Sequence, residues 1–420
     1  MFDLDKYEEI WQSITRNKVR SLLTCFGVFW GILMLVLLLG AGQGLQNGIF
    51  RHTKGFALNS VIFWTNQTGE PYKGFKQGRW WNMKQRDLDM IRERIDGVEY
   101  LSSLSTRWRT DNNVVRGEKS GSFDVRGCYP VYLEKIEQQR VPYGRLLNEV
   151  DMREKRKVCV IGTRVYESLF APGENPVGAY IRANGIYFQV VGVIDRIPEI
   201  HMMGDTKEAV SIPATTMQQA YNLGERIDVI CATIKKGYKS ADVENEIKTL
   251  LKEQNRISPT DPQAIGSFNL EQQARSFELL FLGIAILIWI VGIGTLMSGV
   301  VGVSNILLVT VKERTKEIGV RRAIGAKPVA IISQLMSESL TITFLAGILG
   351  LVAGIGLLDL VNKILANSPP SNGSFYTDPE VSFGTAVVAT IILLISGLIA
   401  GIIPAWRALQ IKAIDAIREE

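Results

Sequence analysis

Four stretches of this 420-residue chain contain no ionised side chain: residues 21–50, 279–311, 339–358 and 381–406. A helix needs about 20 mostly apolar residues to cross hydrocarbon, where its backbone polar groups can bond only to one another. Core helices of water-soluble proteins rarely stay uncharged for so long, and four such runs exclude a soluble fold. Lys and Arg in the flanking segments set the orientation. Residues 1–20 carry Lys6, Arg16, Lys18 and Arg20; residues 312–327 carry six basic side chains; the tail carries Arg407, Lys412 and Arg418; residues 364–380 carry none. The positive-inside rule then places both termini and 312–327 in the cytoplasm, with about 47–276 and 364–380 outside. The net charge of +5 lies beside the spans, so topology accounts for it and nucleic acid is not an expected partner.

The expected order is an interfacial amphipathic helix over 1–20, a first span over 21–46 and an extracytoplasmic domain over 47–276. A second span with a stalk covers 277–311, and a cytoplasmic helix and loop cover 312–330. A third span over 331–363, a short outer loop over 364–380, a fourth span over 381–405 and a cytoplasmic tail over 406–420 complete it. Leu4, Tyr7, Trp11 and Ile14 recur at spacings of three and four among charged residues, the pattern of a helix lying in the membrane interface. A cleaved leader is the competing reading of the first apolar run, which is too long for one. The second uncharged run would be roughly 50 Å long as helix, against about 30 Å of hydrocarbon. It is therefore expected to project beyond the bilayer, tilt with a kink near Gly292–Gly294 being the alternative.

No ionisable side chain falls within the four runs, and Glu338 and Asp359 only border the third. A polar solute would find nothing there to replace its water. Glycine recurs instead, as Gly299 and Gly302, Gly350 and Gly354, Gly397 and Gly401. Small residues at these spacings allow close helix approach, either within one chain or between two copies.

Between the first two spans the composition turns charged and rich in Gly and Pro. Strands are expected over 58–65 and 99–106 around a helix over 83–95, capped by Asn82 with Gln85 three residues on. Further strands are expected over 158–161, 187–194 and 227–234, then a helix over 241–253 with Ser240 at its cap. The fold class is thus four transmembrane helices plus a large extracytoplasmic α+β domain, with βαβ-like lobes near both ends and a β-rich insert near 115–205. Trp64, Trp80, Trp81 and Trp108 fall where core packing outweighs partner contact as an explanation. Cys128, Cys159 and Cys231 lie outside, too few for a complete disulfide framework though one bridge is possible.

Enzymatic chemistry has little to work with. The sequence holds no Gly-x-x-x-x-Gly-Lys-Ser/Thr phosphate loop and no Gly-x-Ser-x-Gly elbow. Its two histidines, His52 and His201, are far apart and lack ligand neighbours. No catalytic residue, metal site or cofactor site is expected, and a membrane-tethered enzyme is the weakest reading.

One segment stands out. Residues 304–311 end an uncharged run, and a block with six Lys/Arg and two Glu follows between Lys312 and Lys327. Ile318, Arg321, Arg322 and Gly325 share helical spacing, as do Arg314, Glu317 and Arg321. Gly325 and Pro328 stand where one helix stops and another begins. A plain topology-setting loop would satisfy composition alone. However, Glu313-Arg314-Thr315-Lys316-Glu317-Ile318-Gly319-Val320-Arg321, then Arg322-Ala323-Ile324-Gly325-Ala326, resembles the coupling-helix signature of MacB/FtsX-type (type VII) ABC transporter permeases. Val158-Cys159-Val160-Ile161-Gly162, Leu169-Phe170, Asn175-Pro176-Val177-Gly178 and Val190-Val191-Gly192-Val193 are similar to the family's periplasmic core domain, which often has Ala at the place of Cys159.

The resemblance implies an inner-membrane permease subunit, acting with a second identical or different permease chain. Its coupling residues would be Glu313, Arg314, Thr315, Lys316, Glu317, Ile318, Gly319, Arg321, Arg322, Gly325 and Ala326. ATP would be bound by a partner ABC ATP-binding subunit in trans, because the sequence starts directly at the interfacial helix, and this chain would need no cofactor. Work would be done on the far side rather than through a pore. A periplasmic adaptor, an outer-membrane channel and membrane lipid are further partners the resemblance allows. Lipoprotein release, or FtsX-like signalling to cell-wall hydrolases without cargo, remain the alternatives.

Overall fold

The structure, a computed structural model, describes residues 18–53, 55–106, 113–196, 204–367 and 376–410. The chain forms two compact units, Met1–Ile49 with Leu279–Glu420, and Phe50–Glu278. The expected interfacial helix lies almost wholly outside the described residues, as do His201 and Trp108. The first helix, α1, covers Lys18–Thr53.

The outer unit is laid out as β1 (Ser60–Thr65), β2 (Met83–Lys84), α2 (Gln85–Arg94), β3 (Val98–Thr106), β4 (Asn113–Arg116), β5 (Lys119–Ser122), β6 (Asp124–Cys128) and a π-helical turn (Tyr132–Ile136). Then come β7 (Gln139–Gly144), α3 (Glu149–Arg153), β8 (Val158–Gly162), α4 (Thr163–Leu169), β9 (Tyr180–Ala183), β10 (Ile186–Arg196), β11 (Ala209–Pro213) and α5 (Ala214–Ala220). It closes with β12 (Arg226–Ile227), β13 (Val229–Ile234), α6 (Ser240–Gln254) and β14 (Ile265–Asn269). Twelve of the described strands join one sheet in the order β14-β1-β13-β3-β6-β11-β8-β10-β9-β4-β5, with β7 added beside β10.

At one end of that sheet β13 lies antiparallel between β1 and β3, and β1 lies antiparallel between β13 and β14. Each β–α–β unit is therefore split by a strand of the other, and α2 and α6 belong to one interlocked layer. The two units expected near the ends of the domain do not form separate lobes. They are complementary halves of one lobe, and the rest of the sheet is inserted between β3 and β13. Sequence patterns reveal each unit but not their interleaving, which depends on pairing over long sequence distances.

Both faces of this layer are covered, so β1 and β13 are buried along nearly their whole length rather than at alternate residues. Val61 and Phe63 of β1 meet Leu88, Ile91, Val243, Ile247 and Leu251 of the helices. Ile62 points the other way, against Tyr132, Leu133 and Ile136. Trp81 is buried and donates Nε1–H to the Ala264 carbonyl at 3.1 Å, whereas Trp80 is 71 % exposed. The α2 cap also differs from expectation. Met83 and Lys84 are held in a short ladder by β12, so the helix starts at Gln85, and the Asp87 carboxylate accepts from the Lys84 backbone N–H at 2.8 Å.

In the inserted part, β6 pairs parallel with β11 and β8 pairs parallel with β10. Arg126 and Glu137 are both buried there, 3.6 Å apart. Arg126 donates to Ser211 at 3.0 Å and to Thr206 at 3.2 Å, and Thr206 donates to Glu137. A buried charge pair survives only with such hydrogen bonding. Cys128, Cys159 and Cys231 are buried free thiols, and burial pushes that of Cys128 up to about 12.

The root of the next helix is fixed from two sides. Asn269 accepts at Oδ1 from the Gln272 backbone N–H at 3.1 Å, and its amide donates to Glu244 of α6 at 2.9 Å. Glu244 also accepts from Ser267 at 2.6 Å and Lys248 at 2.7 Å. From that root α7 runs unbroken over Leu270–Glu313, 44 residues or roughly 66 Å. Helical assignment continues through Gly292–Gly294, where Gly292 makes room for Leu35 of α1.

The helical unit adds α8 (Thr315–Ala323), α9 (Pro328–Asn367) and α10 (Phe383–Leu409). α1, α7, α9 and α10 are each long and apolar enough to cross a membrane. Their shared core includes Val28, Ile32, Leu35 and Val36 of α1, Leu296 and Val300 of α7, Ala346 and Leu358 of α9, and Leu393 of α10. Large apolar residues such as Ile290, Leu349 and Ile402 are more than half exposed on the outside, as a lipid-facing surface requires.

Five of the six singled-out glycines serve contacts inside the chain. Gly299 lies against Gly27, where a Cβ would come within 3.2 Å of its backbone. A Cβ at Gly350 would come within 2.6 Å of the Phe29 carbonyl, and one at Gly354 within 2.7 Å of Val36. Gly397 faces Thr343 and Gly401 faces Met336 and Ser339, while Gly302 has nothing within 4 Å.

Two predictions follow from this packing and bonding. Gly350→Val should lower stability in detergent by about 1–3 kcal/mol through overpacking, while Gly302→Val should leave the thermal transition in place; a loss at Gly302 would instead mark contact between copies. For Glu244, burial alone would raise the carboxyl pKa, but Lys248, Ser267 and Asn269 more than offset it and hold the value below the ordinary one. Its stabilisation is complete above the unfolded value of about 4.3 and is lost as pH falls through the lower folded value. Glu244→Gln should therefore cost about 1–2 kcal/mol at pH 7 and flatten the acid dependence of the outer unit's urea midpoint, read by limited proteolysis.

Candidate functional site

The charged segment between α7 and α9 is shaped by its own backbone bonds. α7 ends at Glu313, and Arg314 leaves helical geometry at φ −96° and ψ 13°. The Arg314 N–H still bonds to Thr310 O at 3.0 Å, and the Thr315 hydroxyl donates to the Lys312 carbonyl at 2.8 Å. α8 then runs with Glu317 in its first turn and Arg321 and Arg322 in its last, the order that complements the helix dipole. Its end is a Schellman turn: Ala326 N–H bonds to Arg321 O at 3.0 Å and Gly325 N–H to Arg322 O at 3.1 Å. Gly325 has φ +100°, a conformation a side chain would strain, and Pro328 opens α9.

One face of α8 turns inward. Ile318 and Gly319 are buried, and Ile318 packs with Val311 of α7, Ile331 and Leu335 of α9, and Ala408 of α10. Three arginines extend that attachment. Arg314 reaches Glu338 of α9 at 3.9 Å, and the Glu338 side chain is only 5 % exposed. Arg321 donates to Gln334 at 3.1 Å and pairs with Glu317 at 2.8 Å. Arg322 donates to the carbonyl of Leu409, the last residue of α10, at 2.9 Å.

The opposite face is open. Lys312, Glu313, Lys316, Glu317 and Lys327 are exposed, and so are Val320, Ile324 and Val329, the last two by 83 % and 71 %. Val320 and Ile324 are four residues apart on one side of α8, within a rim of charge. An apolar patch so framed is the usual composition of a protein-binding surface.

The expected coupling residues therefore divide. Glu313, Lys316 and Glu317 are on the open face, and Gly325 is exposed at the turn. Arg314, Thr315, Arg321, Arg322 and Ala326 are half-buried, while Ile318 and Gly319 are inside. Sequence reasoning missed Val320, Ile324 and Val329, and it missed the anchoring partners Gln334, Glu338 and Leu409. A signal for the first group was present, because Val320 and Ile324 lie on the side of the helix away from Ile318. No sequence signal joins Arg314 to Glu338 across the turn.

Comparison with known proteins bears on both units. Residues 21–250 match the MacB-like periplasmic core domain and residues 289–413 the FtsX-like permease C-terminal domain. The macrolide export ATP-binding/permease protein MacB of Bdellovibrio bacteriovorus is 26 % identical over 97 % of this chain and 61 % of its own length. MacB of Mannheimia succiniciproducens is 27 % identical over 100 % of this chain and 62 % of its own. The chain thus spans about three fifths of the length of these relatives. Among solved structures, the periplasmic region of MacB from Actinobacillus actinomycetemcomitans is 22 % identical, covering 55 % of this chain and 97 % of that one with a TM-score of 0.43. With the first of the two domain matches covering more than half of its residues, this chain, a membrane protein with an extracytoplasmic domain, belongs to the MacB/FtsX family of ABC transporter permeases.

Proposed function

We propose that the chain transmits work from an ABC ATP-binding subunit to the extracytoplasmic side, and that the open face of α8 is the surface on which that subunit docks. The observation that carries this reading is the exposed apolar pair Val320 and Ile324 inside a rim of Lys312, Glu313, Lys316, Glu317 and Lys327. Apolar anchors ringed by polar groups concentrate binding energy in a few residues. The 420 residues contain no phosphate loop, which supports a nucleotide site on a partner subunit. In this reading 312–327 faces the cytoplasm with the termini. Closure of the nucleotide-binding pair pushes on α8 and, through the single rod of α7, on the sheet from which that rod starts.

The relatives are named for macrolide export, and we place this chain with them as an efflux permease working in a pair. A closed polar path through the membrane is not needed for such work, in keeping with spans that carry no charge between their borders.

The test is capture and activity. The tagged chain, purified from the membranes of its source, should bring down a phosphate-loop ATPase whose turnover depends on the permease. Ile324→Asp, at a position 83 % exposed, should alter stability in detergent by no more than about 0.5 kcal/mol. The same change should weaken capture of the ATPase about tenfold or more. Equal capture by parent and variant would overturn the assignment of this face.

A further inference from the structure

Any push received by α8 must pass to the elements bonded to it, and these are not confined to α7. Ile331, Gln334, Leu335 and Glu338 are spaced by three, one and three residues, so they form a single stripe on α9. All four engage the coupling segment or its apolar cluster: Ile331 and Leu335 pack with Ile318, Gln334 accepts from Arg321, and Glu338 faces Arg314. Glu338 is 4 % exposed and stands ten residues into α9, roughly 15 Å along its axis from Pro328. A carboxylate so buried is costly without a cation near it. Arg322 adds α10 through the Leu409 carbonyl. Higher up, α9 is fastened to α10 by the Ser339 hydroxyl, which donates to Gly397 O at 2.9 Å, and by the close fit of Gly397 on Thr343.

We infer that the Arg314–Glu338 pair locks the coupling segment to α9, so that α8, α9 and α10 move as one body when α8 is pushed. The inference rests on the docking reading above for the source of the push, but the lock itself needs no partner. Glu338 is in this sense a positioning residue. It holds the face opposite the docking surface and touches no nucleotide. α7 is then not the sole route of transmission: a hinge between α8 and α9 would dissipate the stroke, and the ion pair prevents it.

Two spin labels decide the matter, one at Ala323→Cys, exposed on α8 but outside the rim of the docking surface, and one at Leu349→Cys on the exposed side of α9. Cys25→Ala removes the only partly accessible native thiol among the described cysteines, the other three being buried. In nanodiscs without nucleotide, the parent should give a single narrow distance, and Glu338→Gln should lose it for a broad distribution. The charge exchange Arg314→Glu with Glu338→Arg should restore it, which a simple packing defect would not allow. Gln334→Ala, which removes the acceptor of the Arg321 hydrogen bond, gives a second variant should Glu338→Gln fail to insert. In the complex with the captured ATPase, Glu338→Gln should retain binding and ATP turnover. The label distance, unchanged by vanadate trapping in the parent, should then become dependent on nucleotide. An equally narrow distance in Glu338→Gln, with and without trapped nucleotide, overturns the lock. Absence of any captured ATPase overturns the docking reading instead, and the nucleotide-free distances still decide the lock.

Discussion

One long helix, held by its own backbone hydrogen bonds, leads from the last strand of the outer unit to the charged segment of this permease. From Leu270 to Glu313 the chain is a single helix of 44 residues. The rod begins beside β14, whose residues pair with β1, and Asn269 ties its first turn to Glu244. It ends at Glu313, with Arg314 alone between it and α8.

The two units solve their burial problems by different means. In the outer unit, the interlocked β–α–β halves let the strands bury apolar residues on both faces, and the charged groups that enter the interior do so in bonded sets such as Arg126, Glu137, Thr206 and Ser211. In the helical unit there is little hydrophobic gain from helix contact in lipid, and close approach does the work. Gly27 against Gly299, Gly350 against Phe29 and Gly397 against Thr343 bring backbones together where a side chain would hold them apart. Such a bundle keeps charge at its borders, and the border nearest α8 is where Arg314, Arg321 and Arg322 each find an oxygen on a neighbouring helix.

Much of this was legible in the residues. The uncharged runs revealed the spans, Gly325 and Pro328 marked the turn, and the apolar runs over β8, β10 and β13 marked buried strands. Those signals are local, since a helix stop or an apolar run is encoded within a few neighbouring residues. Less legible was the cap of α2, because the pairing of Met83 with Ile227 shortened the helix from its expected start. The split of each β–α–β unit also escaped notice, because β13 comes over 120 residues after β3 begins and carries no mark of its partner.

The division of labour along 312–327 follows the same rule. Sequence by itself determined that 312–327 is a short charged helix between two long apolar ones, because composition, spacing and the Gly–Pro punctuation act on the chain locally. Only the tertiary structure decided which side of that helix is spent on attachment and which is left open. Arg314 and Glu317 look alike as charged residues of one signature, yet one is turned toward a buried carboxylate on α9 and the other remains exposed. That difference depends on where α9 and α10 pack after the turn, which is set by side chains far along the chain.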